Sequence, residues 1–357
     1  MNPFTPEIGF ADHVYQSYLQ GLKLHWKNEL YASVIAKAAQ SGQPTPQALE
    51  TEMRKAPDYR LYGWLERHLQ QFKYQGRHGM LPVMQGQSEA LIAALDEAAR
   101  RHPERLQLDP ALVLPHYYTA PDFHQHPGGV WSDDIDAFAY EWGANAFSFS
   151  MAAADRPYRW MAQYLTQRFA PASLVDMGCG FGKLCIPVKQ ISPSTEVVGV
   201  DLAAPLLRLA HLRSLEAGLD IRYVQANAEH TPLAARSFDA VVSYWLLHEL
   251  PAEATANVLT EAMRLLRPGG VVAHFDMHTA PGGVVGEFLH MGHAARNNEP
   301  FLPGLVGADM KKALADAGFV DIELVEAMTG DAAQHDDAPI APTRTHTFTV
   351  VIGRKPA

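Results

Sequence analysis

The chain has 357 residues, 47% of them apolar and 19% charged, which is enough to bury a core and too long for one average domain. Twenty-nine Lys and Arg stand against 39 Asp and Glu, a formal charge of −10, which argues against a broad basic face for nucleic acid. No apolar run approaches the ~18 residues of a membrane helix, the first residues carry no signal-like pattern, and the two cysteines, Cys179 and Cys185, make no disulfide framework. A cytoplasmic chain with reduced thiols and no membrane partner is therefore expected.

The first 150 residues read as helical. Apolar side chains recur at helical spacing over 12–40, through Val14, Tyr18, Leu22, Leu30 and Val34, with Asp12 placed as a cap. Thr45-Pro46 opens another helix, since proline is tolerated in a first turn. Residues 58–74 and 88–101 predict two more. The stretch 108–150 then concentrates Tyr117, Tyr118, Phe123, Trp131, Phe138, Tyr140, Trp142, Phe147 and Phe149 beside His116, His124 and His126, broken by Pro127-Gly128-Gly129. So many aromatics should be buried, either as a connector gluing two halves or as a lid over a site.

Beyond a helix at 155–169 with Asp155 as its cap, the pattern changes. Short β-rich runs at 173–177, 196–201, 221–226, 238–245 and 271–277 alternate with helical segments at 182–190, 205–217 and 253–266. Such alternation means βαβ units and a parallel sheet. Runs at 320–327 and 345–353 follow without a helix between them, which predicts an antiparallel pair at the sheet edge.

The turn after the first of these strands is rich in glycine. Gly178, Gly180 and Gly182 follow Asp176 between a strand and a helix. Their spacing, GxGxG, differs from the dinucleotide fingerprint, and a carboxylate just before the loop suits an ammonium better than a phosphate. Asp201 ends the next strand, where a carboxylate accepts hydrogen bonds from ribose hydroxyls. The pocket then wants a ligand with a ribose and an ammonium but no phosphate, a description that S-adenosylmethionine fits.

Five blocks carry a resemblance: VDMGCGFGK at 175–183, VVGVDL at 197–202, NAEHTPLAARSFDAVVS at 227–243, LLHELP at 246–251 and LRPGG at 266–270. In this order the chain resembles a class I S-adenosylmethionine-dependent methyltransferase. The resemblance implies an α/β fold with a Rossmann-like seven-stranded sheet whose last strand is antiparallel. It places that domain at 151–357, behind a helical N-terminal lid domain at 1–150. It also implies roles: Asp176 and the glycine loop for the methionine part, Asp201 for the ribose, Leu202 against the adenine, Asn227 and Ala228 at the adenine edge, and Ser243 at the end of the fourth strand. Asn227 departs from the family's usual aspartate but keeps a carbonyl acceptor.

Methyl transfer from a sulfonium needs alignment and exclusion of water, and a base only where the nucleophile starts protonated. His248, with Glu249 beside it, is the candidate base, its segment resembling that of small-molecule O-methyltransferases. A structural or substrate-orienting role for His248 stays open. Residues 116–131 are expected to close over the cofactor, with Tyr117 or Tyr118 near the sulfonium and His124 or His126 facing the acceptor, and Arg296 is either a partner for a substrate carboxylate or a surface residue. Histidines at 124, 126, 248, 274, 278, 290 and 293 match no compact metal motif, so no metal is expected. The expected partner is a small molecule, and a homodimer is left open. An enzyme of the same fold that uses S-adenosylmethionine without methyl transfer is the alternative.

Overall fold

The computed structural model describes residues 5–147, 155–279, 283–327 and 347–357. Phe149 and the polar linker 331–344 lie outside the described residues.

The N-terminal region is helical. Its first helix, Phe10–His25, passes through a π-helical turn at Trp26–Leu30 into Tyr31–Gln40. The buried face of that first helix is not the expected one. Gln16 and Leu19 are buried, whereas Val14 and Tyr18 are exposed. The polar Gln16 fits inside because its Nε2 donates to the carbonyls of Lys73 and His78, at 3.1 and 3.0 Å. Asp12 does not cap the helix; it pairs with His78 Nδ1 at 2.7 Å. Thr45 does cap, its side chain accepting from the Ala48 N–H at 3.2 Å, with Pro46 in the first turn. Asp155 makes no side-chain cap and pairs with Lys183 instead.

The sheet has eight strands in the order β1-β4-β3-β2-β5-β6-β8-β7. They are β1 (Leu106–Gln107), β2 (Ser173–Met177), β3 (Glu196–Asp201), β4 (Arg222–Gln225), β5 (Phe238–Tyr244), β6 (Leu266–Thr279), β7 (Val320–Glu326) and β8 (Thr347–Arg354). Strands β1 to β6 are parallel, and β8 lies antiparallel to both β6 and β7. The seven expected strands are all present. The eighth, β1, comes from the front region and pairs Leu106 and Gln107 with Tyr223 and Val224. Two residues are too few to leave an alternation in the sequence.

Alternate residues of each strand feed opposite layers. Leu174, Val197 and Val242 pack with Trp160, Met161 and Cys185, while Val175, Val198 and Val241 pack with Val258, Leu259 and Leu265. The helical region is bound to this body through the helix Ala204–Glu216. Leu206, Leu209 and Leu212 join Leu91, Leu95 and Phe138 in one core, and Arg213 pairs with Glu141 at 2.6 Å. It is bound again through the helix Gly283–Asn297, where Phe288 and Leu289 pack on Trp26, Tyr59 and Tyr62.

Strand order reverses at β2, with β3 on one side and β5 on the other. The crevice beyond the carboxyl ends of these strands is where open α/β sheets bind ligands. The glycine loop, Asp201, Asn227 and the turn Leu247–Glu249 all follow strand ends on that side.

Candidate active site

The glycine loop is tied to the end of β3. Gly178 and Cys179 donate their N–H groups to Val200, at 2.8 and 3.0 Å, and Gly180 donates to Asp201 Oδ2 at 2.8 Å. Asp201 Oδ1 accepts the Ala203 N–H at 2.9 Å, so this acid organises the loop as well as facing it. Each oxygen keeps a second lone pair for a ribose hydroxyl. Gly178, Gly180 and Gly182 all take positive φ, yet they differ in surroundings. A Cβ at Gly182 would stand 2.7 Å from Tyr223 Oη and one at Gly178 2.7 Å from Leu246, whereas one at Gly180 would meet no atom within 4 Å. Gly180 thus borders the open space a ligand needs.

Asp176 is fully buried. Cys185 Sγ donates to its Oδ2 at 3.3 Å, while Oδ1 has no hydrogen-bond partner among the described residues. Burial, reinforced by the charge of Asp201 and opposed by the Cys185 bond, pushes its carboxyl up to about 7. A buried carboxylate with an unsatisfied oxygen fits an ammonium group. Both cysteines are buried, and burial pushes the Cys185 thiol up to about 11, so neither is an activated thiolate.

On the adenine side, Asn227 Oδ1 accepts the Glu229 N–H at 2.9 Å, and its Nδ2 donates to Glu229 Oε1 at 3.1 Å. The carbonyl expected to meet the adenine amine is therefore partly used within its own turn. Glu229 also accepts from Tyr117 Oη at 2.6 Å, which fixes the aromatic segment over the end of β4. Leu202 and Ala228 are half-buried beside this turn.

The structure brings His124, His248 and Glu249 together. His124 Nε2 lies 2.9 Å and His248 Nε2 3.3 Å from the same atom, Glu249 Oε1. Behind them, His248 Nδ1 faces Asp276 Oδ1 at 2.9 Å and His124 Nδ1 faces Glu299 Oε1 at 3.0 Å. Asp276 is held in turn by the N–H groups of His248 and Met277, at 3.2 and 2.8 Å. Burial opposes protonation of both rings, but Asp276 and Glu249 outweigh it at His248, and Glu249 and Glu299 push His124 up to about 9. The same histidines, against the cost of burial, hold Glu249 down at about 2. His124 sits in left-handed backbone, φ 55, which such a residue adopts only when its surroundings hold it there.

A wall of tyrosines joins this cluster to the loop. Burial, followed by the charges of Asp201, Tyr140 and Glu249, holds the Tyr118 hydroxyl well above its ordinary pKa. Tyr140 is raised by burial, then by Glu249 and Asp201, and Tyr158 by burial, then by Tyr140, Asp155 and Asp176. The Tyr140 ring stands 6.0 Å from that of Phe181 in the glycine loop.

Three expected site residues are engaged elsewhere. His126 is buried and stacks on Tyr74 at 4.3 Å, gluing the segment to the helix Pro57–Tyr74. Arg296 is neither a surface residue nor free for a substrate; it pairs with buried Glu66 and lies over the Tyr62 ring at 4.9 Å. Ser243 is wholly buried, its hydroxyl 2.7 Å from His274 Nδ1, and burial pushes His274 down to about 3. Asp276 and Glu299 were not foreseen. An aspartate at the end of the apolar run VVAHF was the one available signal for the first; nothing in the sequence marks the second.

A family model described as a methyltransferase domain matches residues 174–270. The chain is 31% identical over 157 residues to a demethylmenaquinone methyltransferase of Thermus thermophilus, a match covering 44% of this chain and 69% of that protein. It is 27% identical over 192 residues to a ubiquinone biosynthesis O-methyltransferase of Erwinia tasmaniensis, covering 53% of this chain and 70% of the relative. Among solved structures, phosphoethanolamine N-methyltransferase 2 of Haemonchus contortus in complex with S-adenosyl-L-methionine aligns with a TM-score of 0.48 at 18% identity, over 70% of this chain and 62% of that one. No helix among the described residues is long and apolar enough to cross a membrane. With a relative matched at this identity over two thirds of its length, and with a glycine loop, an acid at the end of β3 and a β6-β8-β7 edge of the expected kind, the chain belongs to the class I S-adenosylmethionine-dependent methyltransferases.

Proposed function

We propose that the chain methylates a hydroxylated aromatic small molecule held between the tyrosine wall and the His124–Glu249–His248 cluster. The carrying observation is that one aromatic segment reaches both ends of the crevice: Tyr117 Oη donates to Glu229 at 2.6 Å in the turn after β4, and His124 Nε2 lies 2.9 Å from Glu249 Oε1 in the turn after β5. With the glycine loop and Asp201 taking the cofactor, the cluster is left as the acceptor end. The curated relatives, named for demethylmenaquinone and ubiquinone biosynthesis, support a ring acceptor.

When bound, S-adenosylmethionine supplies the electrophilic methyl group of its sulfonium. Asp176 would hold the ammonium, Asp201 the ribose, and Gly180 would leave the space between them. Leu202, Asn227 and Ala228 would border the adenine. Residues 1–150 serve as a cap on the methyltransferase body at 151–357, with Tyr117 pinning the cap through Glu229. The cap excludes water and fixes the acceptor, and such orientation can supply about 7–11 kcal/mol of the barrier. His248 and Glu249 polarise and orient the acceptor. His248 Nδ1 faces Asp276 and its Nε2 faces Glu249, so the ring is held in place by both carboxylates and orients the acceptor rather than acting as a free base.

The test is product analysis with a panel of phenols and quinols. One S-adenosylhomocysteine per methylated ring hydroxyl supports the proposal. Methylthioadenosine, or methylation confined to amines and thiols, overturns it.

A further inference from the structure

We propose that His124, His248 and Glu249 form a binding site for one first-row divalent transition-metal ion. The site stands on the geometry of these residues; its role in binding the acceptor rests on the function proposed above.

The donor atoms converge. One ligand atom from each residue lies within 4.8 Å of the others, and the two Nε2 atoms stand 2.9 and 3.3 Å from Glu249 Oε1. Two ligands each about 2.1 Å from one ion, at angles of roughly 90–109°, lie about 3.0–3.4 Å apart. The two distances from the imidazoles to Glu249 fall close to that range, and the two imidazole nitrogens lie within 4.8 Å of each other, before any side chain moves. Two imidazoles and a carboxylate suit zinc, iron(II), cobalt or manganese rather than calcium.

The outer nitrogens are arranged as such a site requires. A metal-binding histidine turns its other ring N–H to a carboxylate, which fixes the inward nitrogen as a lone-pair donor. Here His248 Nδ1 turns to Asp276 and His124 Nδ1 to Glu299, each at hydrogen-bond distance. Asp276 is locked by two backbone N–H groups, so His248 is oriented from behind.

A separate observation points to a missing cation. Glu249 Oε2 and Glu299 Oε2 are buried and have no hydrogen-bond partner among the described residues. Glu299 is only 4% exposed. A buried carboxylate oxygen left unsatisfied is costly, and a cation removes that cost. Three carboxylates, Glu249, Asp276 and Glu299, surround the two imidazoles, and a metal ion would take the place of the protons that the rings otherwise share with them.

The ligands come from the aromatic segment and from the turn after β5, so no compact spacing could announce them. That is why sequence spacing predicted no metal. Three protein ligands leave open positions on the ion. An acceptor hydroxyl would bind there as its O–H proton passes to water and a metal–oxygen bond forms, with no electron transferred.

The full chain, stripped with a chelator and dialysed, is titrated with Co2+ followed by visible d–d absorption, and then with Zn2+ as competitor. The expected result is one Co2+ per chain, displaced by Zn2+. His124→Ala and Glu249→Gln should each weaken Co2+ by on the order of 100-fold, and Asp276→Asn by about 10–100-fold. Glu249→Gln keeps the side chain's shape and carries the test if His124→Ala fails to fold. Asp201→Ala should leave Co2+ affinity unchanged, and Glu249→Gln should leave S-adenosylmethionine affinity unchanged, so the metal site and the cofactor site fail separately. Absence of saturable Co2+ and Zn2+ binding by the unaltered chain, or binding indifferent to both His124→Ala and Glu249→Gln, overturns the site and leaves the cluster as an ion-pair network. Metal binding that does not change the KM of a phenol substrate overturns the acceptor role alone.

Discussion

Asp201 accepts the Gly180 N–H at 2.8 Å, which binds the end of β3 to the middle of the glycine loop. The acid holds the loop in place, and in its proposed role it also presents oxygens to the ribose. Asp201→Ala should weaken S-adenosylmethionine by about 1.5–3 kcal/mol, the worth of a hydrogen bond to a charged group. Calorimetry that finds unchanged affinity would remove Asp201 from the site.

Gly180 and Gly182 share positive φ but should separate on substitution. Alanine at either position pays a similar left-handed penalty, on the order of 1–2 kcal/mol. At Gly182 the new Cβ also meets Tyr223 Oη at 2.7 Å, while at Gly180 it enters open space. Gly182→Ala should therefore lower the melting temperature more, and Gly180→Val should lose cofactor binding more. Equal loss of stability and affinity in both variants would mean that Gly180 does not border the cofactor.

The buried carboxyl of Asp176, pushed up to about 7 chiefly by desolvation, makes cofactor binding depend on pH. Below that value the group takes a proton and cannot pair with an ammonium; above it the carboxylate is present. Affinity should rise with pH by up to about tenfold per unit below 7 and level off above it. Binding should also release protons, which calorimetry in buffers of different ionisation enthalpy reads directly. Asp176→Asn should flatten the profile, and a flat profile in the unaltered chain would contradict the assignment.

What the sequence revealed, and what it hid, divides along contact range. Alternating strands and helices, the GxGxG turn and Asp201 are local features, written in consecutive residues, and all appear where expected. The helix Phe10–His25 was turned the wrong way because Gln16 is buried by partners at Lys73 and His78, far along the chain. Arg296 suited a substrate carboxylate as a residue type, but Glu66 on a distant helix already occupies it. The His124–Glu249 meeting is hidden for the same reason. Each residue is visible, but only the folded cap over β5 makes them neighbours.

Arg296 offers a direct check on that correction. Its guanidinium compensates the buried Glu66, whose carboxyl is held well below its usual range by Arg296 and His293 against the cost of burial. Arg296→Ala would leave the buried Glu66 with only His293 Nδ1, at 2.8 Å, as its cationic partner, so stability should fall by up to about 3–5 kcal/mol. The KM for a methylated acceptor should change little under conditions where the variant is folded. A large rise in KM with an unchanged melting temperature would restore Arg296 as a substrate ligand.

The aromatic segment should behave as lid and glue at different residues. Tyr118 lies in the aromatic segment between Tyr117, which is bonded to Glu229, and His124, which faces Glu249, and Tyr118→Phe removes only its hydroxyl. Turnover should fall while the melting temperature stays nearly constant, because the ring's packing is kept. His126 is the opposite case. It is 1% exposed and stacked on Tyr74, so His126→Ala empties a packed site between the segment and the helix Pro57–Tyr74. Removing the ring opens a cavity, but both of its nitrogens lack a hydrogen-bond partner among the described residues, so a loss on the order of 1–3 kcal/mol should appear in denaturant unfolding. Once folded, the His126 variant should keep most of its turnover per active chain. If instead His126→Ala abolishes turnover with no loss of stability, and Tyr118→Phe is silent, the wall and the anchor have been assigned to the wrong residues.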